Sequence, residues 1–177
     1  GLEKLGDGLV FSGGGHRLGA KLEYKDGDLD LYLQGEEGWA YEFCLPAVDG
    51  EAVFGGGEQY RKLNLRCERV VNFVSEHIKA STIVQKALLP AFLYREKPHS
   101  QIGSYAPMPV FVTDKGRLFL FDTDADGYSH FGREYYTFSF DFCPEVIHIS
   151  YRESLAELTK RVNRLCPNRQ YIPQWCH

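Results

Sequence analysis

A glycine-rich turn in this chain delivers three polar or aromatic side chains whose types suit ligand binding. Three consecutive glycines at positions 55–57 are followed at once by Glu58, Gln59 and Tyr60. Glycine tolerates positive φ and lets the backbone approach another surface closely, so a sharp turn is predicted with the triplet on a loop. Amide groups bond hydroxyl groups at fixed geometry, which makes Gln59 a predicted hydroxyl-binding residue and Tyr60 a weaker one. The residues predicted to structure the loop are Gly55, Gly57 and Glu58.

A second polar cluster follows an apolar run at residues 70–74. Its sequence is Ser75-Glu76-His77-Ile78-Lys79. A carboxylate accepts hydrogen bonds from hydroxyl groups, so Glu76 is predicted to bind the same kind of ligand, with His77 as a weaker candidate. The alternative for all these residues is an interface or loop-fixing role, and the glycine run alone is also compatible with an ordinary hairpin turn.

An acidic turn in the second half of the chain has the form of the beginning of a calcium-binding loop. Asp122, Asp124, Asp126 and Gly127 match the Asp-x-Asp-x-Asp-Gly pattern, but Arg133 stands where the twelfth position requires Glu. No long flanking helices are indicated either. We therefore interpret this segment as an acidic sandwich turn, and no metal site is predicted.

Composition excludes several classes of protein. The 177 residues are 44% hydrophobic and 14% aromatic, which indicates a folded domain with a sizeable core. The net charge is −4 with no basic block, so nucleic-acid binding is not expected. Apolar runs are too short to span a membrane, and no signal peptide is evident. Five cysteines without a CxxC pair argue against zinc and against a secreted disulfide framework, which favours a cytoplasmic location. The initial Gly1 suggests a piece of a longer protein.

Strand patterns separated by turns run through most of the chain. Residues 20–33 alternate apolar and polar side chains around Asp26-Gly27-Asp28, which predicts a hairpin with one buried face. A second hairpin is predicted over residues 110–122, around Asp114-Lys115-Gly116. Further strands are predicted at 39–45, 70–74, 135–142 and 146–151. Many short strands with few helices indicate a mainly β protein, an antiparallel β-sandwich.

One late segment is predicted to be helical. Ser154 and Glu157 have the spacing of a capping box, and Pro167 ends the pattern. The apolar stripe consists of Leu155, Leu158, Val162 and Leu165. We expect this stripe to pack on the sheet or on a further domain, and in the second case Leu158 and Val162 would be partly exposed.

Three segments together resemble elements of glycoside hydrolase family 31, the α-glucosidase family. Residues 52–60, AVFGGGEQY, are similar to the YGLGEQF element of the family's N-terminal β-sandwich. Residues 105–118 resemble its strand–turn–strand PxPFxxSxxGYG. Residues 154–175 resemble its exit helix and the LTGRQPxLPxW segment. These elements occur in the family's order and approximate spacing, and they cover most of the chain.

The branch that this sequence resembles best is that of the bacterial-type α-glucosidases and sulfoquinovosidases. There the GEQ motif is followed by SEQG, whereas this chain has His77 in place of the glutamine and Ile78 in place of the glycine. In the sulfoquinovosidases a glutamine in this region helps to recognise the sulfonated sugar. The departure leaves the substrate open among an α-glucoside, an α-xyloside and a sulfoquinovoside.

The resemblance implies a galactose-mutarotase-like sandwich over residues 1–153. Residues 154–177 would then be a helix and linker that lead toward a catalytic (β/α)8 barrel. Retaining glycosidases need two carboxyl groups about 5–5.5 Å apart, and in this family both are aspartates on the barrel. No catalytic residue is therefore predicted in this chain, and Glu58 with Glu76 is not expected to form such a pair.

The expected function is that of a non-catalytic N-terminal domain of a retaining α-glycosidase, which contributes loops to the sugar pocket and is inactive alone. The implied partners are the enzyme's own barrel and an α-linked sugar, with no cofactor, no nucleic acid and no membrane, and a homo-oligomeric parent is compatible with this. The alternative is a stand-alone carbohydrate-binding or structural sandwich. Only Trp39 and Trp175 are available for a tryptophan stacking platform, which favours the accessory role.

Overall fold

A computed structural model of the chain describes residues 1–5, 8–58, 62–74, 101–104 and 106–166. The described elements are β1 (Leu2–Leu5), β2 (Gly8–Gly13), β3 (His16–Lys25), β4 (Asp28–Gln34), β5 (Tyr41–Pro46), β6 (Val53–Gly55), β7 (Arg69–Val74), β8 (Gln101–Ser104), β9 (Val110–Thr113), β10 (Arg117–Asp122), β11 (Gly127–Phe131), β12 (Tyr135–Phe140), β13 (Val146–Tyr151) and the helix α1 (Leu155–Leu165).

The strands form two sheets, which confirms the predicted sandwich. The larger sheet, called sheet A, has the order β1-β2-β3-β4-β13-β10-β9-β6. Sheet B has the order β5-β12-β11-β7-β8. All described strand pairs are antiparallel except β7 with β8, which run parallel. Within the described residues, sheet A has eight strands and sheet B has five.

Both predicted hairpins are present, and the backbone angles and hydrogen bonds of their turns show why the chain reverses there. Lys25 pairs with Asp28 across a two-residue turn in which Asp26 and Gly27 have φ of 52° and 80°. Two central residues with positive φ make the tight turn that matches the twist of paired strands. In the β9–β10 hairpin, the N–H of Gly116 donates to the carbonyl of Thr113 at 3.1 Å. In both cases the glycine lies where the backbone needs positive φ.

Aromatic side chains from both sheets fill the core between them. Phe121 on β10 lies 4.5 Å from Phe138 on β12, measured between ring centroids, and the rings are tilted by 40°. Phe111 on β9 meets Phe131 on β11 edge to face at 4.9 Å. Such aromatic pairs add about 0.5–1.5 kcal/mol to the free energy gained by burying the rings. Among the described residues, six phenylalanines and Tyr136 are buried in this core between the two layers.

Helix α1 packs on the outer face of sheet A. Leu158 is fully buried against Leu118 and Leu120, whose side chains point away from the aromatic core because neighbouring residues of a strand face opposite sides. The predicted cap is present: the Ser154 side chain accepts from the N–H of Glu157 at 3.3 Å. Leu155 remains 61% exposed. Val162 packs on the same cluster but is only partly buried. Of the two surfaces expected for the apolar stripe, the sheet is therefore the one that the structure shows, with Val162 left partly exposed.

Candidate functional site

The glycine turn is built at the end of the edge strand β6. Val53 and Phe54 pair with β9, and the next three residues, Gly55, Gly56 and Gly57, have φ of 122°, 79° and 90°. Side chains rarely tolerate such backbone angles, so the run of glycines is required by the path of the chain. The sharp turn predicted from the sequence is therefore present.

The turn is also pressed against the segment that leads into β9. A Cβ atom at Gly55 would lie 2.2 Å from the carbonyl oxygen of Val110, and one at Gly57 would lie 1.9 Å from that of Ala106. The N–H groups of Gly56 and Glu58 donate to those same two oxygens, at 3.0 and 3.2 Å. Two of the segments that resemble family elements, 52–60 and 105–118, thus contact each other through their backbones.

The residues that lead into the two predicted binding loops, Glu58 and Val74, both contact one short segment of the chain. The backbone N–H of Glu58 contacts Ala106, and Val74, the last residue of β7, pairs with Ser104 of β8. From the spacing of paired strands and the reach of two residues, the backbones at 58 and 74 are roughly 17 Å apart or less. We call this meeting point of residues 58, 74, 104 and 106 the loop junction. It brings the glycine turn of sheet A next to sheet B.

All four predicted binding residues lie just beyond the ends of the described ranges. Gln59 and Tyr60 follow Glu58 directly, and Glu76 and His77 lie two and three residues beyond Val74, but all four are outside the described residues. Glu58 is exposed at the junction. The binding roles of the four residues, and the role of the Glu58 side chain in fixing the loop, stay predictions.

A buried ion pair that was not predicted from the sequence supports the approach to the glycine turn. The Glu51 carboxylate, two residues before β6, is completely buried and accepts from Nε of Arg117 at 2.8 Å. The second nitrogen of the same guanidinium group, Nη2, contacts the other carboxylate oxygen. Tyr136 donates to Glu51 at 2.6 Å, and Arg66 donates to the Tyr136 hydroxyl at 3.0 Å. This Glu51 network joins sheet A, sheet B and the loop between them.

The network fixes the ionisation of both acidic members. Burial opposes ionisation of Glu51, but the hydrogen bonds from Arg117, Tyr136 and Thr113 together outweigh it and lower the pKa to about 2. Burial, reinforced by the hydrogen bond to the carboxylate, raises the pKa of Tyr136 to about 12. A fully buried carboxylate with these partners is a structural anion. It is not placed to exchange protons with a substrate.

The other acidic, histidine and cysteine side chains of the described residues do not form a metal site. Over the described ranges, no three His, Cys, Asp or Glu side chains converge as a metal site would require. Asp122, Asp124 and Asp126 are exposed, and the N–H of Ala125 donates to the Thr123 side chain at 3.0 Å, as in a compact turn. A search of the described helices for an apolar stretch of membrane-spanning length found none.

Comparison of the whole fold with solved structures gives consistent matches. A family 31 sulfoquinovosidase from E. rectale superposes with a TM-score of 0.69 and 17% identity, over 93% of this chain and 25% of its own. The cycloalternan-forming enzyme of Listeria monocytogenes gives 0.64 and 11%, over 93% and 22%. A family 31 dextranase from Flavobacterium johnsoniae gives 0.53 and 15%, over 93% and 20%.

The chain has the fold of the N-terminal β-sandwich of glycoside hydrolase family 31 enzymes. This confirms the fold expected from the sequence resemblance. No protein-family model and no curated protein matches the chain, so the likeness is one of three-dimensional structure. The chain spans about a quarter or less of the length of these three enzymes.

Proposed function

We propose that this family 31 sandwich is the accessory N-terminal domain of a retaining α-glycosidase and that its loops form part of the sugar pocket. In this proposal Gln59 and Glu76 bond sugar hydroxyls, Tyr60 and His77 contribute weaker contacts, and both catalytic carboxylates lie on a (β/α)8 barrel encoded by the same gene. The sandwich alone has no hydrolytic activity.

The loop junction is the observation that carries this proposal. Glu58, which follows β6 of sheet A, contacts Ala106, and Val74 of sheet B pairs with Ser104, two residues away in the chain. The predicted binding residues begin one to three positions beyond them. Two loops that are far apart in sequence but leave the sandwich at one place can contact the same ligand, and a rigid sandwich holds such loops well.

The backbone of the glycine turn adds a reason why this place is suited to ligand positioning. Gly55 and Gly57 seat the turn against Val110 and Ala106 with no room for a side chain. The Glu51 network anchors the strand that enters the turn. Residues that orient a ligand must be held to within about half an ångström. The contacts of the glycine turn and the Glu51 network hold the backbone that leads to Gln59 in this way.

The first experiment tests whether the gene also encodes a catalytic barrel and whether Gln59 contributes to substrate hydrolysis by the complete protein. We expect the reading frame to continue into a barrel with paired aspartates, and the complete protein to hydrolyse an aryl α-glycoside with retention. Gln59→Ala in that complete protein should lower kcat/KM by about fivefold or more, because a buried hydrogen bond to a substrate hydroxyl contributes about 1 kcal/mol or more.

The matched control is Gln34→Ala, which removes an exposed amide from β4 in the same sheet. It should leave kcat/KM unchanged. Equal kinetics for Gln59→Ala and the unmodified enzyme would refute the role of the loop. A reading frame without a barrel would favour the alternative of a stand-alone carbohydrate-binding or structural sandwich, and hydrolysis by the 177-residue chain alone would contradict the accessory role.

A further inference from the structure

A cavity of about 430 Å³ opens on the part of sheet A farthest from the glycine turn. It lies between β2, β3 and the residues that precede β5. We call this cavity the Trp39 cleft. The aromatic and charged side chains that line it are Phe11, His16, Arg17, Trp39 and Tyr41. Its volume is within the range of about 300–1,000 Å³ that is usual for small-molecule sites.

Apolar aromatic surface in this cleft is left in contact with solvent. Trp39 is 48% exposed and Phe11 is 44% exposed. Residues of this size are among the most buried in folded proteins, and an exposed aromatic pair at the wall of a cavity is a common feature of binding sites. The remaining apolar lining comes from Leu18, Ala40 and Tyr41, of which Tyr41 is half-buried.

Polar contacts hold the aromatic wall in place. The ring centroids of His16 and Trp39 lie 3.8 Å apart, tilted by 47°. Glu36 accepts from Nδ1 of His16 at 3.1 Å and from the backbone N–H of Arg17 at 2.9 Å. The hydrogen bond with His16, followed by that from Arg17, holds the pKa of Glu36 below its ordinary value. Glu36 is therefore an anion beside the cleft, with acceptor capacity beyond its two present bonds.

The loop that carries Trp39 is itself braced. The hydroxyl of Tyr41 accepts from the N–H of Glu36 at 2.7 Å and donates to the Glu36 carbonyl oxygen at 3.0 Å. These two hydrogen bonds close the loop formed by residues 36–41. A Cβ atom at Gly35 would lie 2.5 Å from that hydroxyl, so the backbone just before the loop is in close contact with Tyr41. A braced loop loses little conformational entropy when a ligand binds.

We propose that the Trp39 cleft is a binding site for a neutral oligosaccharide. A sugar ring has an apolar C–H face that packs on an exposed aromatic ring, and hydroxyl groups at its edge that bond to carboxylate and guanidinium groups. Trp39 and Phe11 provide the first kind of surface. Arg17 lines the cleft, and the Glu36 carboxylate, bonded to the backbone N–H of Arg17, lies beside it, so these two residues provide the second kind. The opposite charges of Glu36 and Arg17 leave the cleft without the concentrated positive charge that an anionic ligand requires.

The site is independent of the proposed role of the glycine turn. In sheet A, β3 and β6 are separated by β4, β13, β10 and β9. Five steps at the usual strand spacing place them about 24 Å apart. Sugar binding at Trp39 can therefore be present or absent whatever Gln59 does.

Isothermal titration calorimetry of the 177-residue chain with maltotriose, isomaltotriose, cellotriose and xylotriose tests the proposal. We expect saturable binding of at least one of them with a Kd in the millimolar range. Trp39→Ala should weaken that binding about tenfold or more, since losing a stacking face and its buried area costs on this order. Glu36→Gln should weaken it less, and Trp39→Phe should restore part of the affinity.

Tyr135→Ala is the matched control, because Tyr135 is 59% exposed on β12 and does not line the cleft. It should leave the Kd unchanged. Amide NMR shifts on titration should concentrate at residues 11, 16, 17 and 39–41, which gives a readout independent of any variant that folds poorly. The proposal is overturned by the absence of saturable binding at tens of millimolar sugar, by shifts that concentrate elsewhere, or by unchanged affinity in folded Trp39→Ala.

Discussion

Tyr136 and Glu51 meet at a buried hydrogen bond of 2.6 Å that ties sheet B to the chain entering sheet A. Tyr136 lies on β12 of sheet B, and Glu51 lies two residues before β6 of sheet A. Because Arg117 of β10 binds the same carboxylate, the anion is bonded to both layers at once. The glycine turn begins only four residues later in the chain. Its position therefore depends on a buried charge as well as on packing.

We expect Glu51→Ala to destabilise the fold strongly. Removing the carboxylate leaves the Arg117 guanidinium and the Tyr136 hydroxyl without their partner in a buried place. Breaking one side of a buried pair costs about 3–5 kcal/mol. Urea denaturation followed by circular dichroism should show this loss in the free energy of unfolding.

The control for that measurement is Glu23→Ala. Glu23 pairs with Lys21 at 3.2 Å, but both side chains are about half exposed, at 52% and 47%. Exposed pairs contribute about 0–1 kcal/mol. Equal losses for the two variants would show that the buried network contributes no more than a surface pair.

Stability should fall in acid because of Glu51. Its pKa is about 2 in the folded chain against an ordinary value of 4.5, so the folded state favours the ionised form. A lowered pKa contributes stability above pH 4.5, and this stability is lost as the pH falls toward 2. The difference between the two values corresponds to about 3 kcal/mol. Unfolding free energies measured between pH 6 and pH 2 should show this decline, and Glu51→Gln should make the curve flatter. If the unfolding free energy of Glu51→Gln fell with pH as steeply as that of the unmodified chain, then Glu51 would not be the cause of the acid sensitivity.

Local patterns predicted the parts of this fold that depend on neighbouring residues. Both hairpins, the strand β7 and the helix α1 follow from alternation, turn residues and the Ser154 cap. The strand β11 was not predicted, because Gly127 and Ser129 occupy inward positions where the pattern calls for large apolar residues. Ser129 is buried and exchanges hydrogen bonds with Asn72 of β7, a partner that no local pattern reveals.

The Glu51 network was missed for a related reason. Glu51 and Arg117 are 66 positions apart, and Glu51 and Tyr136 are 85 apart. Each is an ordinary residue in its own segment, and only the pairing of the two sheets brings them together. By contrast, the glycine turn was predictable, because three consecutive glycines indicate a backbone constraint by themselves.

Gly57→Ala should displace or destabilise the glycine turn more than the same change at a comparable glycine. Gly57 has φ of +90°, and an added Cβ would lie 1.9 Å from the Ala106 carbonyl oxygen. Gly38 has φ of +80°, but nothing lies within 4 Å of an added Cβ there. Gly38→Ala therefore measures backbone strain alone, about 1–2 kcal/mol. We expect Gly57→Ala to cost more than that in thermal or urea unfolding, and equal costs would mean that the contact with Ala106 readily relaxes.

Helix α1 should behave as part of the sandwich in the 177-residue chain. Leu158 is fully buried against Leu118 and Leu120, whereas Leu155 on the same helix is 61% exposed. Truncating a buried leucine removes its transfer free energy and leaves a cavity, which costs about 2–5 kcal/mol. Leu158→Ala should lower the free energy of unfolding by that amount in urea titrations. Leu155→Ala makes the same chemical change in the same helix and should alter it by about 0.5 kcal/mol or less. If the two variants lose equal stability, or if Leu158→Ala unfolds the helix alone while the sheets keep their stability, then α1 is not anchored on sheet A.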